Sequence, residues 1–194
     1  VGLAAGGVVG VAASAVQFVP EIIDKVASAH LYQRTANWVA PKDDTPYTAA
    51  QIARFKNDPN ALHESRAQIY KELNEFITFS HEGIQAECTR AALANIEVVN
   101  DPSLREKLKP THPFGCKRPL FSNKYYPVFN LPQVELITDR ITHITADGVV
   151  SADGVERKVD TLIIATGFKV SRYLSAIDVS GRNGLKLDDA WRDG

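Results

Sequence analysis

Arg34 lies where a basic side chain could distinguish between two nucleotide cofactors. It closes the apolar segment Ala29-His30-Leu31-Tyr32-Gln33, 24 positions after Gly10, which ends an earlier apolar run. The order strand, tight turn, helix, strand predicts the first unit of a dinucleotide-binding fold. At the end of the second strand of such a unit, Asp or Glu accepts hydrogen bonds from the 2′-hydroxyl of NAD, whereas Arg pairs with the 2′-phosphate of NADP. The alternative is a solvated arginine at a strand end.

The turn after the first predicted strand departs from the ideal glycine motif. In the pattern GxGxxG/A, the second glycine lets the backbone approach a pyrophosphate. Ala12 occupies that position in this chain. Because its methyl group would push the phosphates away, the glycine motif by itself is a weak signal.

Composition is typical of an ordinary soluble globular protein. The 194 residues are 44% hydrophobic and 23% charged. A net charge of −1 gives no indication of nucleic-acid binding. The two cysteines, Cys88 and Cys116, form neither a disulfide framework nor a metal knuckle, which favours a reducing, cytoplasmic setting. The apolar run 1–23 lacks a basic leader and contains Gln17, Pro20 and Glu21, so no membrane role is predicted.

Hydrophobic periodicity predicts a helical middle part between two groups of strands. The predicted helices cover 14–29, 48–55 and 61–95, with Pro20 inside the first and Thr48 as the cap of the second. Residues 101–110 are predicted to form a short charged helix or a turn. The predicted strands end at Gly10 or cover 30–35, 134–137, 141–145, 149–150, 157–159 and 161–165. The last of these is expected to be buried and parallel, and residues 37–47 and 111–119 are expected to be loops. The apolar face of the 61–95 helix is expected to pack on the sheet, with an interaction surface as the alternative.

Three segments taken together resemble one enzyme family. They are Gly10-x-x-x-Ser14-Ala15-x-Gln17 leading to Arg34-Thr35, the loop Gly115-Cys116-Lys117-Arg118-Pro119, and Asp160-Thr161-Leu162-Ile163-Ile164-Ala165-Thr166-Gly167-Phe168. Their order and spacing resemble class B flavoprotein monooxygenases, and most closely the Baeyer–Villiger monooxygenases. The tail Gly181-Arg182-Asn183-Gly184-Leu185, followed by Trp191-x-Asp193-Gly194, is similar to that family as well.

The resemblance implies an α/β fold with a Rossmann-like dinucleotide-binding domain, a helical insertion and a strand-rich return toward a flavin-binding domain. Its parts would be the first βαβ part of the NADP-binding domain at 1–44, the helical insertion at 45–100, the remainder of that domain and the strand-rich return at 101–165, and an incomplete start of the FAD-binding domain at 166–194. The chain has no Met and begins at Val1. We therefore expect an internal fragment that is inactive alone.

The resemblance also implies which residues bind the cofactors FAD and NADP(H). A helix N-terminus with free N–H groups would hold the pyrophosphate. The residues of that turn and helix are Gly10, Ala12, Ser14, Ala15 and Gln17. Three side chains would hold the 2′-phosphate, namely Arg34, Thr35 and Lys117. A small-residue turn would link the NADP and flavin domains, and it consists of Ala165, Thr166 and Gly167. For each position the alternative is an ordinary surface, helix or turn residue.

Arg118 is the predicted catalytic residue. In the family, the matching arginine lies beside the flavin and stabilises the negatively charged peroxyflavin, a preorganised charge aimed at a developing anion. The alternative is a structural ion pair. Cys116 is predicted to be a small filler, because no His-centred constellation accompanies it. His112 and His143 lack metal-ligand spacing, so no metal site is predicted.

The function implied by the resemblance is Baeyer–Villiger oxidation. NADPH would reduce FAD, and one oxygen atom from O₂ would be inserted into a ketone to give an ester or lactone. A close alternative is oxidation of nitrogen or sulfur in another organic substrate. A third alternative, favoured by Ala12 and by the expected truncation, is a non-catalytic remnant that binds a nucleotide or a partner. The sequence leaves the oligomeric state open.

Overall fold

A computed structural model describes residues 4–78, 82–168 and 177–191. Asp193 and Gly194 of the tail motif, and residues 169–176 of the predicted flavin-domain start, lie outside the described residues. The described strands are β1 (Ala4–Val9), β2 (Val26–Tyr32), β3 (Val39–Ala40), β4 (Leu120–Phe121), β5 (Val134–Ile137), β6 (Ile141–Ile144), β7 (Gly148–Ser151), β8 (Glu156–Lys158) and β9 (Thr161–Ile164). The described α-helices are α1 (Ala13–Ile22), α2 (Ala49–Asn57), α3 (Ala61–Thr78), α4 (Glu82–Ile96), α5 (Pro102–Leu108) and α6 (Leu187–Ala190).

The centre of the described part is a parallel sheet in the order β5-β2-β1-β9. The chain moves outward from β1 to β2 and β5, and it then returns to pair β9 with the other side of β1. In open α/β sheets, ligands bind outside the carboxyl ends of the strands at such a reversal of strand order. The predicted α/β class with a Rossmann-like parallel sheet is confirmed.

The two faces of the sheet are covered by different elements because strand side chains alternate between faces. Val8 and Leu31 point to the face covered by α1, where Val16 and Val19 pack in the main hydrophobic core. Neighbouring residues on the same strands point to the opposite face. There Val9, Tyr32, Ile137, Val149 and Leu162 form a second cluster with the antiparallel sheet β6-β7-β8.

The first predicted helix is too long at its C-terminal end. α1 stops at Ile22, a short 3₁₀ turn follows over Ile23–Lys25, and β2 begins at Val26. The helical spacing of apolar residues extends to Val26, but pairing with Ala4 of β1 places that residue in the sheet. Tertiary strand pairing therefore outweighs the local helical periodicity.

The helical middle part also differs from the prediction. Thr48 caps α2 through a reciprocal capping box with Gln51, as predicted. The predicted helix over 61–95 corresponds to α3 and α4, which lie on either side of residues 79–81, and those three positions are outside the described residues. The expectation that its apolar face packs on the sheet is wrong for α3, where Ile69, Leu73 and Ile77 are all exposed. No helix in the described ranges is both long enough and apolar enough to cross a membrane.

Two smaller differences concern strands. The predicted loop 37–47 contains β3, which pairs in parallel with β4 and so ties the loop before β4 to the end of β2. The prediction that the strand at 161–165 is buried is wrong. Thr161 and Ile164 are exposed because β9 is the outermost strand of its sheet among the described residues.

An ion pair joins the parallel sheet to the antiparallel one. Arg157 Nε donates to both carboxylate oxygens of Glu135 at 2.9 Å, and Arg157 Nη2 donates to Glu135 Oε1 at 2.6 Å. His30 Nδ1 lies 3.0 Å from Glu135 Oε2. The Arg157 guanidinium lowers the pKa of Glu135 below its usual value.

We expect this pair to make stability depend on pH. Because the pKa of Glu135 is lower in the folded state, its contribution is complete above the unfolded-state pKa and is lost as the pH falls through the folded-state pKa. The Glu135 side chain is 44% exposed, so solvent screening limits the effect of Glu135→Gln to about 1 kcal/mol at pH 7. Urea unfolding at pH 7 and pH 3 should show a smaller difference for this variant than for the wild type. An equal difference in both proteins would contradict the assignment, and Glu87→Gln on the exposed surface of α4 is the matched control.

Candidate dinucleotide-binding site

A cavity of ≈ 520 Å³ lies at the carboxyl edge of the parallel sheet. Its walls come from the residues that follow β1, β2, β5 and β9, together with Lys117 from the loop before β4. Several sequence-predicted site residues line it: Gly10, Ala12, Arg34, Thr35, Lys117, Ala165 and Thr166. The fold thus places residues from distant segments of the sequence around one space.

Gly10 lies at the base of this cavity, where the end of β1 is hydrogen-bonded to the ends of β2 and β9. Its N–H donates to Tyr32 O at 3.1 Å, at the end of β2, and Ala165 N–H donates to Val9 O at 2.8 Å. Gly10 has a φ of 102°, a region in which L side chains are strained. A Cβ on Gly10 would lie 2.4 Å from Ala165 O. Only glycine fits this crossing of the backbones after β1 and β9.

The N-terminus of α1 opens into the same cavity. Ala12 is the N-cap residue, and within the described residues no side chain caps the first turn. Ala12, Ala13 and Ser14 are exposed. Unpaired N–H groups and the positive end of the helix dipole suit a pyrophosphate at this position. The Asn37 amide donates to Val11 O at 3.1 Å and so holds the turn from its other side.

Arg34 follows the second strand on a fixed backbone. Gln33 is buried, its N–H donates to Ile137 O at 2.8 Å, and its side-chain amide donates to Lys107 O at 2.7 Å. The next residues, Arg34 and Thr35, line the cavity. Within the described ranges, no carboxylate lies within ion-pair distance of Arg34. The guanidinium is therefore available to an anionic ligand.

Lys117 is positioned by an aromatic anchor. Phe114 and Trp38 are buried against each other, with ring centroids 5.8 Å apart. Trp38 Nε1 donates to His112 O at 2.9 Å, and the Gln85 amide donates to Phe114 O at 2.8 Å. These contacts fix the loop that brings Lys117 to the cavity.

The same loop keeps its histidine neutral. Burial of the His112 ring lowers its pKa, and the nearby positive charge of Lys117 lowers it further. A lower pKa favours the uncharged form of His112, and the cations that line the cavity are Arg34, Lys117 and Arg140.

Five predicted site residues lie apart from the cavity walls. Ala15 is fully buried in the core, and the Gln17 amide donates to Ala13 O of its own helix. Ser14 is exposed on the first turn of α1. Arg118 is exposed next to Lys117, and Gly167 is exposed after Thr166. The cavity thus contains the predicted phosphate-binding cations but not the predicted catalytic arginine.

Sequence reasoning missed another part of the cavity wall. The connection from β5 to β6 contributes Thr138, Asp139 and Arg140, and Ile141 at the start of β6 lines the cavity as well. This connection lies beside Arg34 because β5 pairs with β2, with Ile137 opposite Tyr32. The sequence gives no local signal for that pairing, because β2 and β5 are separated by the whole helical middle part. Asn37 was also missed, since its role depends on the turn that it contacts.

Comparisons with known proteins agree with this arrangement. No family model matches the chain. A Baeyer–Villiger monooxygenase from Pseudomonas aeruginosa is 38% identical over 191 residues, which cover 96% of this chain. The chain is therefore similar to a Baeyer–Villiger monooxygenase over nearly its whole length. The predicted resemblance is confirmed.

Solved structures of monooxygenases give the same result. A cyclohexanone monooxygenase mutant from Rhodococcus sp. Phi1, bound to NADP⁺, is 28% identical with a TM-score of 0.79, covering 98% of this chain and 44% of its own. A structure called OTEMO, in complex with FAD and NADP, is 25% identical with a TM-score of 0.78, covering all of this chain and 43% of its own. The chain spans 36% of the Pseudomonas Baeyer–Villiger monooxygenase, less than half of the length of each relative.

Proposed function

We propose that this chain is the NADPH-binding part of a flavin-dependent Baeyer–Villiger monooxygenase. The observation that carries the proposal is the cavity at the reversal of strand order, where Gly10, the N-terminus of α1 and two cations from distant segments converge. The similarity to monooxygenases whose structures contain NADP or FAD supports it.

The residues of the cavity fit NADP(H). The backbone around Gly10 has no room for a Cβ, and the exposed first turn of α1 offers N–H groups to the pyrophosphate. Arg34 and Lys117 would pair with the 2′-phosphate, with the Thr35 hydroxyl as a further donor. Ala12 carries a methyl group, but the turn that contains it is exposed. The backbone N–H groups of this turn would therefore still bind the pyrophosphate.

The residues after β9 fit the approach of a flavin. Gly167 has a φ of 92°, and no atom of the described residues lies within 4 Å of the position that a Cβ would take. Arg118 is exposed, and within the described ranges no carboxylate lies within ion-pair distance of it. When bound, NADPH supplies a hydride and FAD supplies the activation of O₂. In this proposal Arg118 provides a fixed positive charge where negative charge develops, and Ala165 and Thr166 orient the nicotinamide end.

The proposed overall reaction converts a ketone, O₂, NADPH and a proton to an ester or lactone, NADP⁺ and water. Oxidation of nitrogen or sulfur in another organic substrate is the alternative. The proposed location is the cytoplasm, and it is supported by two cysteines that are both free thiols in the structure.

A chimera tests the proposed activity. This chain would replace the matched segment of the Pseudomonas aeruginosa relative, and NADPH oxidation and ester formation would be measured with a ketone that the parent enzyme oxidises. We expect ester formation to be retained, and Arg118→Ala in the chimera to lower it about 100-fold, as for the loss of a preorganised group that stabilises a transition-state anion.

Arg66→Ala is the matched control, because it removes an arginine from the exposed surface of α3, and it should leave ester formation unchanged. A chimera that binds NADPH but forms no ester from any tested ketone would contradict the proposed reaction. Ester formation that is unaffected by Arg118→Ala would contradict only the role of Arg118.

A further inference from the structure

Arg140 is a third cation in the wall of the cavity, and it comes from a segment that the sequence motifs did not include. It follows β5 on the connection to β6 and lines the same space as Arg34 and Lys117. Its side chain is exposed. Within the described ranges, no carboxylate lies within ion-pair distance of its guanidinium.

The backbone around Arg140 is held from both sides. Gln33 N–H donates to Ile137 O at 2.8 Å, which ties the end of β5 to the residue before Arg34. Ala152 N–H donates to Arg140 O at 2.8 Å, which ties Arg140 to the β7–β8 hairpin. These hydrogen bonds hold the β5–β6 connection in place as part of the cavity wall. The connection lies next to the end of β2, which is proposed to face the adenosine ribose.

The charges of the cavity match a phosphate dianion. Its lining contains three cations, Arg34, Lys117 and Arg140, and one anion, Asp139, which gives a formal charge of +2. A phosphate monoester carries about −1.5 to −2 at pH 7. NADH lacks this group, so a third cation close to the end of β2 would favour NADPH specifically.

We propose that Arg140 is a specificity-determining residue that binds the 2′-phosphate of NADPH together with Arg34 and Lys117. This inference rests on the proposed NADPH-binding function. Arg140 would contribute a charge-assisted contact from the β5 side of the cavity. Asp139 beside it carries a negative charge and lowers the positive potential of the cavity.

Calorimetric titration of the whole chain with NADPH and with NADH tests this inference. We expect Arg140→Gln to weaken NADPH binding about tenfold, as for the loss of one charged contact, and to leave NADH binding within about twofold. Arg140→Lys should restore most of the lost affinity, because it restores the charge. Asp139→Asn should strengthen NADPH binding. Arg66→Gln on α3 is the matched control, and circular dichroism checks that each variant is folded.

The outcomes separate this inference from the proposed function. If Arg34→Gln lowers the preference for NADPH and Arg140→Gln does not, the nucleotide site stands and the role of Arg140 is wrong. Equal weakening of NADPH and NADH by Arg140→Gln would also overturn the inference, because it would indicate a contact with the part that both dinucleotides share. A wild-type chain without preference for NADPH would overturn both the proposed 2′-phosphate site and the role of Arg140.

Discussion

Gly10→Ala is expected to destabilise the chain by about 3–5 kcal/mol, a loss in the range of severe core mutations. Two costs add at this position. The φ of 102° is strained for any residue with a Cβ. The added methyl group would also lie 2.4 Å from Ala165 O and 2.9 Å from Ala165 C. Both of those atoms are backbone, so relief requires β1 and β9 to separate at their carboxyl ends.

Urea unfolding followed by circular dichroism measures this effect, with Gly154→Ala as the control. Gly154 also has a positive φ, 77°, but no atom in the described part of the chain lies within 4 Å of the position that an added Cβ would take. The control should therefore lose only the cost of backbone strain, about 1–2 kcal/mol. A loss for Gly10→Ala no larger than that of the control would show that the backbones are not as close as described.

Arg34→Ala is expected to weaken NADPH binding by about 1.5–3 kcal/mol, or roughly 10- to 150-fold, because a charged contact with the 2′-phosphate is lost. NADH binding should change little, because NADH has a hydroxyl at that position. Arg34 lines the cavity on a backbone fixed by the hydrogen bond from Gln33 N–H to Ile137 O. Removal of its side chain should leave the strand end in place.

Paired titrations of wild type, Arg34→Ala and Arg66→Ala with NADPH and NADH measure this effect. The control removes an exposed arginine from α3, away from the cavity. Equal losses of affinity for both dinucleotides would contradict the assignment of Arg34 to the 2′-phosphate.

The sequence predicted the elements whose signals are local. The glycine turn at Gly10, the cap at Thr48 and the hairpin around Asp153-Gly154 all depend on backbone preferences of a few neighbouring residues. The shared role of Arg34 and Lys117 in binding one phosphate was predicted from the resemblance to a family. The structure brings both residues to one cavity.

What the sequence did not predict depends on contacts between distant segments. α1 ends at Ile22 and a short 3₁₀ turn follows, because the chain pairs with β1 from Val26 onward and with β5 from Ala29 onward. Arg140 is next to the end of β2 only because β5 pairs with β2, and periodicity within one segment contains no information on that order. The exposed apolar side chains of α3 have the spacing of a packed helix, but in the described residues they do not pack on the sheet.

The central claim is that the cavity binds NADPH through its 2′-phosphate. The most direct test is calorimetric titration of the unmodified chain with NADPH and with NADH at two salt concentrations. We predict tighter binding of NADPH, with a preference that decreases as salt screens the contacts between the cations and the phosphate. Equal affinity for the two dinucleotides at low salt would contradict the claim.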